Sequence, residues 1–169
     1  VIVVEGYLDV VALAQHGTGN AVATLGTATT GMQVQKLLRQ AERIVFCFDG
    51  DAAGRKAAWR ALENSLEALT EQKSIAFVFL PDGEDPDSFI RKHGGEAFQR
   101  LIRQATPLSD FLLSELSARC ELGTAEGNVR LVVDAKPLLG RLQSSFLRLQ
   151  LVKRLAQASG FSQAEVERL

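Results

Sequence analysis

Three short apolar runs, each ending in acid, constrain this chain more than any other feature. Val1-Ile2-Val3-Val4 runs into Glu5, and Ile44-Val45-Phe46-Cys47-Phe48 runs into Asp49-Gly50-Asp51. Ile75 through Leu80 runs into Asp82-Gly83-Glu84-Asp85-Pro86-Asp87. Such runs, rich in β-branched and aromatic residues and without polar alternation, read as strands buried on both faces. Helical patterns separate them, which implies βαβ units, a parallel sheet and right-handed crossovers. Ligands of an open parallel sheet sit outside the carboxyl ends of its strands. All three acidic motifs fall there, so acids far apart in sequence are expected to converge.

The spacing predicts four strands: Val1–Val4, Ala21–Thr24, Arg43–Phe48 and Ser74–Leu80. Helices are expected from about Tyr7 to His16, Gly31 to Ala41 and Ala52 to Leu69, with a Gly/Thr loop over Leu25 to Thr30. After the fourth strand the pattern turns helical. Two short helices, Asp87 to His93 and Glu96 to Gln104, are divided by Gly94-Gly95, and Pro107 opens another running to about Arg119. Further helices follow over Thr124 to Leu142 and Phe146 to Ala158, and Ser162-Gln163-Ala164-Glu165 reads as a capping box. The expected architecture is an α/β domain over residues 1–104, with about four parallel strands flanked by helices, and an all-helical subdomain over 105–169.

Each acidic motif has a purely local explanation. Asp51 can cap the helix after it, and Asp85-Pro86-Asp87 is a common helix start. Co-location outweighs these readings. Two carboxylates about 4–5 Å apart repel by roughly 3–4 kcal/mol at an effective dielectric of 20. A hard divalent cation held by oxygen ligands, magnesium first among them, is the simplest counter-charge. Two such ions can clamp the attacking and leaving oxygens of a phosphoryl transfer. Gly50-Asp51-Ala52-Ala53-Gly54-Arg55-Lys56 has neither the spacing nor the hydroxyl of a phosphate loop. Arg55, Lys56, Arg60, Arg91 and Lys92 can screen phosphates near the acids, though a solvated helix face accounts for them equally well. His16 and His93 sit in last helical turns, where the dipole favours a cation, and read as structural.

Composition narrows the rest. With 169 residues, 46% hydrophobic, 23% charged and a net charge of −1, the chain does not present a basic surface as a whole. A basic nucleic-acid surface would have to be local or supplied by another segment. No apolar run reaches the ~20 residues of a membrane span. Cys47 and Cys120 are too isolated for a disulfide framework or a zinc site, so a reducing cytoplasm is expected. The first residue is a valine inside a strand, which suggests a piece of a longer protein.

Glu5-Gly6-Tyr7-x-Asp9 and Asp49-Gly50-Asp51-x-Ala53-Gly54 resemble the TOPRIM domain shared by topoisomerases, primases and some nucleases. Three more stretches resemble the bacterial replicative DNA primases of the DnaG type: Leu25-Gly26-Thr27-x-x-Thr30, Leu80-Pro81-x-Gly83-x-Asp85-Pro86-Asp87 and Pro107-Leu108-x-x-Phe111-Leu112. The likeness runs from Val1 into the helical segment, and beyond about Gly123 only a general helical pattern matches. It implies metal-dependent nucleotidyl transfer from NTPs, making short RNA primers on a single-stranded DNA template. By the same resemblance, Glu5, Asp49 and Asp51 would be catalytic metal ligands and Asp85 and Asp87 further ones, with Asp9 a supporting acid. The cofactor would be Mg²⁺ or Mn²⁺, with zinc outside this fragment. The family's zinc-binding, basic and helicase-binding domains are not visible here. Contacts to the replicative helicase and the single-strand binding protein are therefore expected from regions outside the chain, with no membrane partner. The fragment alone is expected to fold and bind metal but to make primers poorly or not at all.

Three rival readings remain at the level of sequence. A topoisomerase needs a tyrosine nucleophile, and the only tyrosine, Tyr7, stands beside Glu5 at a helix start. A haloacid-dehalogenase-like phosphatase would use Asp49 as nucleophile. Its motif usually follows the first strand and continues with Thr or Val, whereas Ala52-Ala53 stands here. A non-catalytic nucleotide-binding or docking module is the third.

Overall fold

The computed structural model describes residues 1–25 and 29–168. Five strands form one sheet: β1 (Ile2–Val4), β2 (Ala21–Ala23), β3 (Arg43–Phe48), β4 (Ser74–Phe79) and β5 (Thr106–Pro107), in the order β2-β1-β3-β4-β5. The first four are parallel, and β3 and β4 run level from Arg43 opposite Ser74 to Phe48 opposite Phe79. That register brings the acidic motifs after β3 and β4 out at the same edge. The helices among the described residues are α1 (Tyr7–Gln15), α2 (Gly31–Gln40), α3 (Ala52–Ser65), α4 (Pro86–Arg103), α5 (Leu108–Ala118), α6 (Ala125–Arg141), α7 (Ser145–Ser159) and α8 (Gln163–Arg168).

Both faces of the sheet are covered, which is why its strands are apolar throughout. Along β3, Ile44, Phe46 and Phe48 point to one face, where they meet α2, α3 and the helices after β5. Val45 and Cys47 point to the other, under α1 and α4. Helices α5, α6 and α7 share the first of these clusters through Phe111, Leu112, Leu131, Ala135, Leu151 and Leu155. The junction is aromatic: the Phe111 ring lies 4.8 Å from Phe77 and 5.3 Å from Phe79, and Phe46 stacks on Phe77 at 5.7 Å.

The sheet departs from the expected four-strand parallel form in one respect. Thr106–Pro107 adds an antiparallel edge strand, with Phe77 opposite Thr106 and Ala76 opposite Pro107. Two residues carry no periodic signal, and Pro tolerates an edge because its missing N–H is not needed there. Pro107 therefore ends a strand, and α5 begins one residue later than expected. The long helix after Asp51 also stops at Ser65 and tightens into a 3₁₀ turn over Leu66–Ala68. Other expected features hold. Gly94 breaks α4 with φ 80° and ψ 165°, and the Ser162/Glu165 box forms, with Ser162 N donating to Glu165 Oε2 at 2.7 Å. Of the Leu25–Thr30 loop, Gly26, Thr27 and Ala28 lie outside the described residues. Thr30 caps α2 through Gln33 N at 3.3 Å. No helix among the described residues is long and apolar enough to cross a membrane.

Candidate metal centre

Asp49 is the centre of the acidic edge. It follows β3 directly and is half-buried. Its pKa is pushed up to about 6, first by burial and then by the negative charges of Glu5, Asp51, Asp85 and Asp9. Acids of all three motifs, and Asp9 on α1, thus act on Asp49 electrostatically, although they are spread over the first half of the chain. Asp9, on α1, is raised as well, mainly by burial, with Asp85 and Asp87 adding to it, while hydrogen bonds from the Gly6 and Asp87 backbones work against the shift.

The acids differ in how far they are committed locally. Asp51 caps α3, its Oδ1 accepting from Gly54 N at 2.7 Å, and Asp85 caps α4 by accepting from Ser88 N at 2.7 Å. These caps are the local roles weighed from sequence, and each commits a carboxylate oxygen to a helix start. The Ser88 hydrogen bonds hold Asp85 below the usual carboxylate range. Asp9 Oδ2 accepts from Gly6 N at 3.1 Å, and Asp87 pairs with Arg91 at 2.5 Å on the surface. The carboxylates of Glu5 and Asp49 accept no hydrogen bond among the described residues. Asp49 is therefore half out of water, ringed by like charge and without a donor among the described residues.

That is the environment a hard cation relieves, and the all-oxygen donor set suits Mg²⁺ or Mn²⁺. Among the described residues no three of these side chains close around a point that could hold an ion. The arrangement is an open acidic edge with the chemistry of a metal site, not a finished cage.

Two glycines make this edge possible. A Cβ on Gly50 would stand 2.0 Å from the Leu80 carbonyl oxygen, and one on Gly54 would stand 2.1 Å from the Asp49 carbonyl oxygen. The first contact seats the β3 loop against the β4 loop, and the second folds α3 back over Asp49. Gly50→Ala should therefore cost about 1–3 kcal/mol and weaken cation binding, because backbone must move. Equal denaturation midpoints for variant and parent would contradict this packing. The glycine spacing was visible in sequence, but the close approaches that explain it were not.

The loop between β4 and α4 has its own clamp. Glu84 meets Lys92 Nζ at 2.7 Å and His93 Nε2 at 3.1 Å, and both hydrogen bonds, Lys92 first, draw its pKa down. His93 packs on Phe89 with ring centroids 4.5 Å apart, a structural role, as expected of it. His16 does likewise by donating from Nδ1 to the Ala12 carbonyl at 2.9 Å. Arg55 turns from the acids to Glu115 at 3.0 Å and lies 5.0 Å over Phe79.

Titration of Asp49 makes a signed prediction. An acid whose folded pKa is raised from about 3.9 to about 6 loses folded-state stability as pH rises through that window. The full shift would be worth about 3 kcal/mol, but Asp49 is partly open to water, so about 1 kcal/mol is expected. Without metal, Asp49→Asn should melt about 2–4 °C above the parent at pH 7.5 and level with it near pH 4. Added Mn²⁺ should raise the parent and leave the variant nearly unmoved. A variant that melts below the parent at both pH values would contradict the assignment.

Comparison with known proteins bears on the fold and the family. A family described as Toprim-like matches residues 2–90, and one described as DnaB-helicase binding domain of primase matches residues 109–164. The second match corrects the expectation that helicase-binding sequence lies wholly outside the chain, which an apolar helical stripe alone could not reveal. DNA primase of Haemophilus influenzae is 50% identical over 169 residues, covering 99% of this chain and 28% of that protein. The crystal structure of a DNA primase domain from Pseudomonas aeruginosa superposes with a TM-score of 0.96 at 48% identity, covering 100% of this chain and 53% of that one. The DnaG primase catalytic domain bound to ssDNA gives a TM-score of 0.94 at 46% identity, covering 98% and 52%. The chain thus spans under a third of the curated relative and about half of each of these solved domains. It belongs to the Toprim-like family and, within it, to the bacterial DnaG-type DNA primases.

Proposed function

We propose that this chain is the metal-handling part of a primase catalytic core, which makes short RNA primers from NTPs on single-stranded DNA. The observation that carries the reading is the half-buried Asp49, with no hydrogen-bond donor among the described residues, and with Glu5, Asp51, Asp85 and Asp9 about it at the carboxyl edge of a parallel sheet. Kinship with a catalytic domain solved with ssDNA supports the template class.

In this reading Glu5 and Asp49 hold the cation, and Asp51, Asp85 and Asp87 add oxygens while fixing the helices behind them. Asp9 keeps the turn into α1 in place through Gly6. A bound divalent cation would neutralise the triphosphate and favour ionisation of the primer 3′-hydroxyl. Such chemistry relies on positioning and charge rather than on a nucleophilic side chain. Residues 1–104 carry this site, and residues 105–169 brace it and contribute to helicase contact, as the match over 109–164 suggests. Work at a bacterial replication fork places the protein in the cytoplasm, with the single-strand binding protein met through other regions.

The test is incorporation of labelled ribonucleotides on a single-stranded template by the longer primase polypeptide. Mg²⁺ or Mn²⁺ should be required and a chelator should abolish synthesis. This chain alone should give little or no product. Synthesis that persists in excess chelator would overturn the proposal.

A further inference from the structure

The amino edge of the sheet takes no part in the chemistry proposed for the acids. Arg43 opens β3 and Asp49 follows it, so roughly 20 Å of strand separates the two edges. Two grooves flank the amino edge. The first, of about 670 Å³, lies between the end of α1 and the second half of α4, with His16, Thr18, Arg100 and Arg103 in its wall. Its floor is fixed. Gln99 Nε2 donates to the buried Thr18 Oγ1 at 3.0 Å, and a Cβ on Gly95 would stand 2.8 Å from the His16 carbonyl oxygen. The second groove, of about 220 Å³, lies on the other face of the sheet, where Arg39 near the end of α2 meets Lys73 just before β4. Arg43 links the two. Its Nη2 donates to the Ile102 carbonyl at 3.4 Å, next to Arg103, and Lys73 Nζ donates to the Ala41 carbonyl at 3.1 Å. Arg39, Lys73, Arg43, Arg103 and Arg100 thus form a row from one helix layer, across the sheet edge, to the other. None of the five pairs with a carboxylate among the described residues, and only Glu42 and Glu96 stand close by to dilute the charge.

We propose that this amino edge holds the phosphate backbone of single-stranded DNA, at a second site remote from the acids. Cations in a row repel one another, and a polyanion laid along them relieves the repulsion and releases counterions. The row crosses the whole thickness of the α/β layer, which suits a chain of phosphates and exceeds the reach of one phosphate ion. No aromatic side chain among the described residues lines either groove, so the site grips backbone and does not stack bases. A chain with a net charge of −1 thereby keeps a local surface for nucleic acid, its acids being gathered at the other edge. The choice of DNA rests on the primase reading, whereas the site itself rests on the unpaired cations.

The test is fluorescence anisotropy of a labelled oligothymidylate of about 20 nucleotides with the longer primase polypeptide, in chelator and without NTPs. Arg100→Ala combined with Arg103→Ala should weaken binding about 10–30-fold at about 0.1 M salt. The slope of log K against log[salt] should become shallower by about 1–1.5, as loss of two phosphate contacts requires. Arg39→Ala combined with Lys73→Ala should act alike. Lys136→Ala combined with Arg148→Ala removes equal charge from α6 and α7 and should change affinity less than about 2-fold, because distant charges are screened. Arg100→Lys combined with Arg103→Lys should recover most of the loss. The same losses are expected in an Asp49→Asn background, so a failed catalytic reading leaves this result standing. Full affinity in both edge pairs, an equal loss from the control pair, or no recovery with lysine would overturn the proposal. Displacement of the DNA by inorganic phosphate at matched ionic strength would also overturn it, marking a site for the free ion.

Discussion

Asp49→Asn in the longer primase polypeptide is expected to lower primer synthesis by about 10²–10³-fold, the usual loss when one preorganised electrostatic group is removed from a reacting centre. The substitution conserves shape and deletes only charge. It also removes the one acid whose ionisation burial and four like charges oppose. Loss of activity should therefore come with equal or greater stability, a pairing that misfolding cannot produce. Asp51→Asn should be less selective, because Asp51 also caps α3 through Gly54. An Asp49→Asn variant that melts normally and, supplied with Mg²⁺, still makes primers at the parent rate would remove Asp49 from the site.

Phe111→Ala should be the most damaging single truncation, costing about 3–5 kcal/mol, as large aromatic-to-alanine changes in cores do. Phe111 is 2% exposed and touches Phe77 and Phe79, which in turn stack with Phe46 and Phe48. The cavity would open between β4 and α5, where the helical segment meets the sheet. Because α5, α6 and α7 share one apolar cluster with β3 and α3, sheet and helices should then unfold at a lower midpoint together. Denaturation followed by far-UV dichroism and by Trp59 fluorescence would show this as two coincident transitions. A loss below about 1 kcal/mol would mean that the junction repacks freely.

The sheet was legible because its strands are covered on both faces, so continuous apolar runs and the acids after them survive as linear signals. β5 was not legible, since two residues cannot show a period, and neither was the stop at Ser65, where helical spacing simply continues into a tighter turn. At the site, the acids along the chain pointed to Glu5, Asp49, Asp51, Asp85 and Asp87, with Asp9 in support. What spacing could not convey was their unequal commitment: Asp51 and Asp85 each use one oxygen for a helix cap, while Glu5 and Asp49 have no donor among the described residues. Gly50 and Gly54 carried a signal that only the close approaches to Leu80 and Asp49 explain. Arg55 reads from sequence equally as a screen for phosphates or as part of a solvated helix face, and its pairing with Glu115, sixty residues away, leaves no linear signal.

The most direct test of the account is an anomalous-difference map from crystals of this chain soaked in Mn²⁺, with Asp49→Asn and Asp51→Asn crystals treated alike. A peak within about 2.0–2.6 Å of carboxylate oxygens of Glu5 and Asp49, absent from the variants, is the predicted result. Clear density for these side chains with no peak beside them would contradict the claim that the acidic edge is a divalent-cation site.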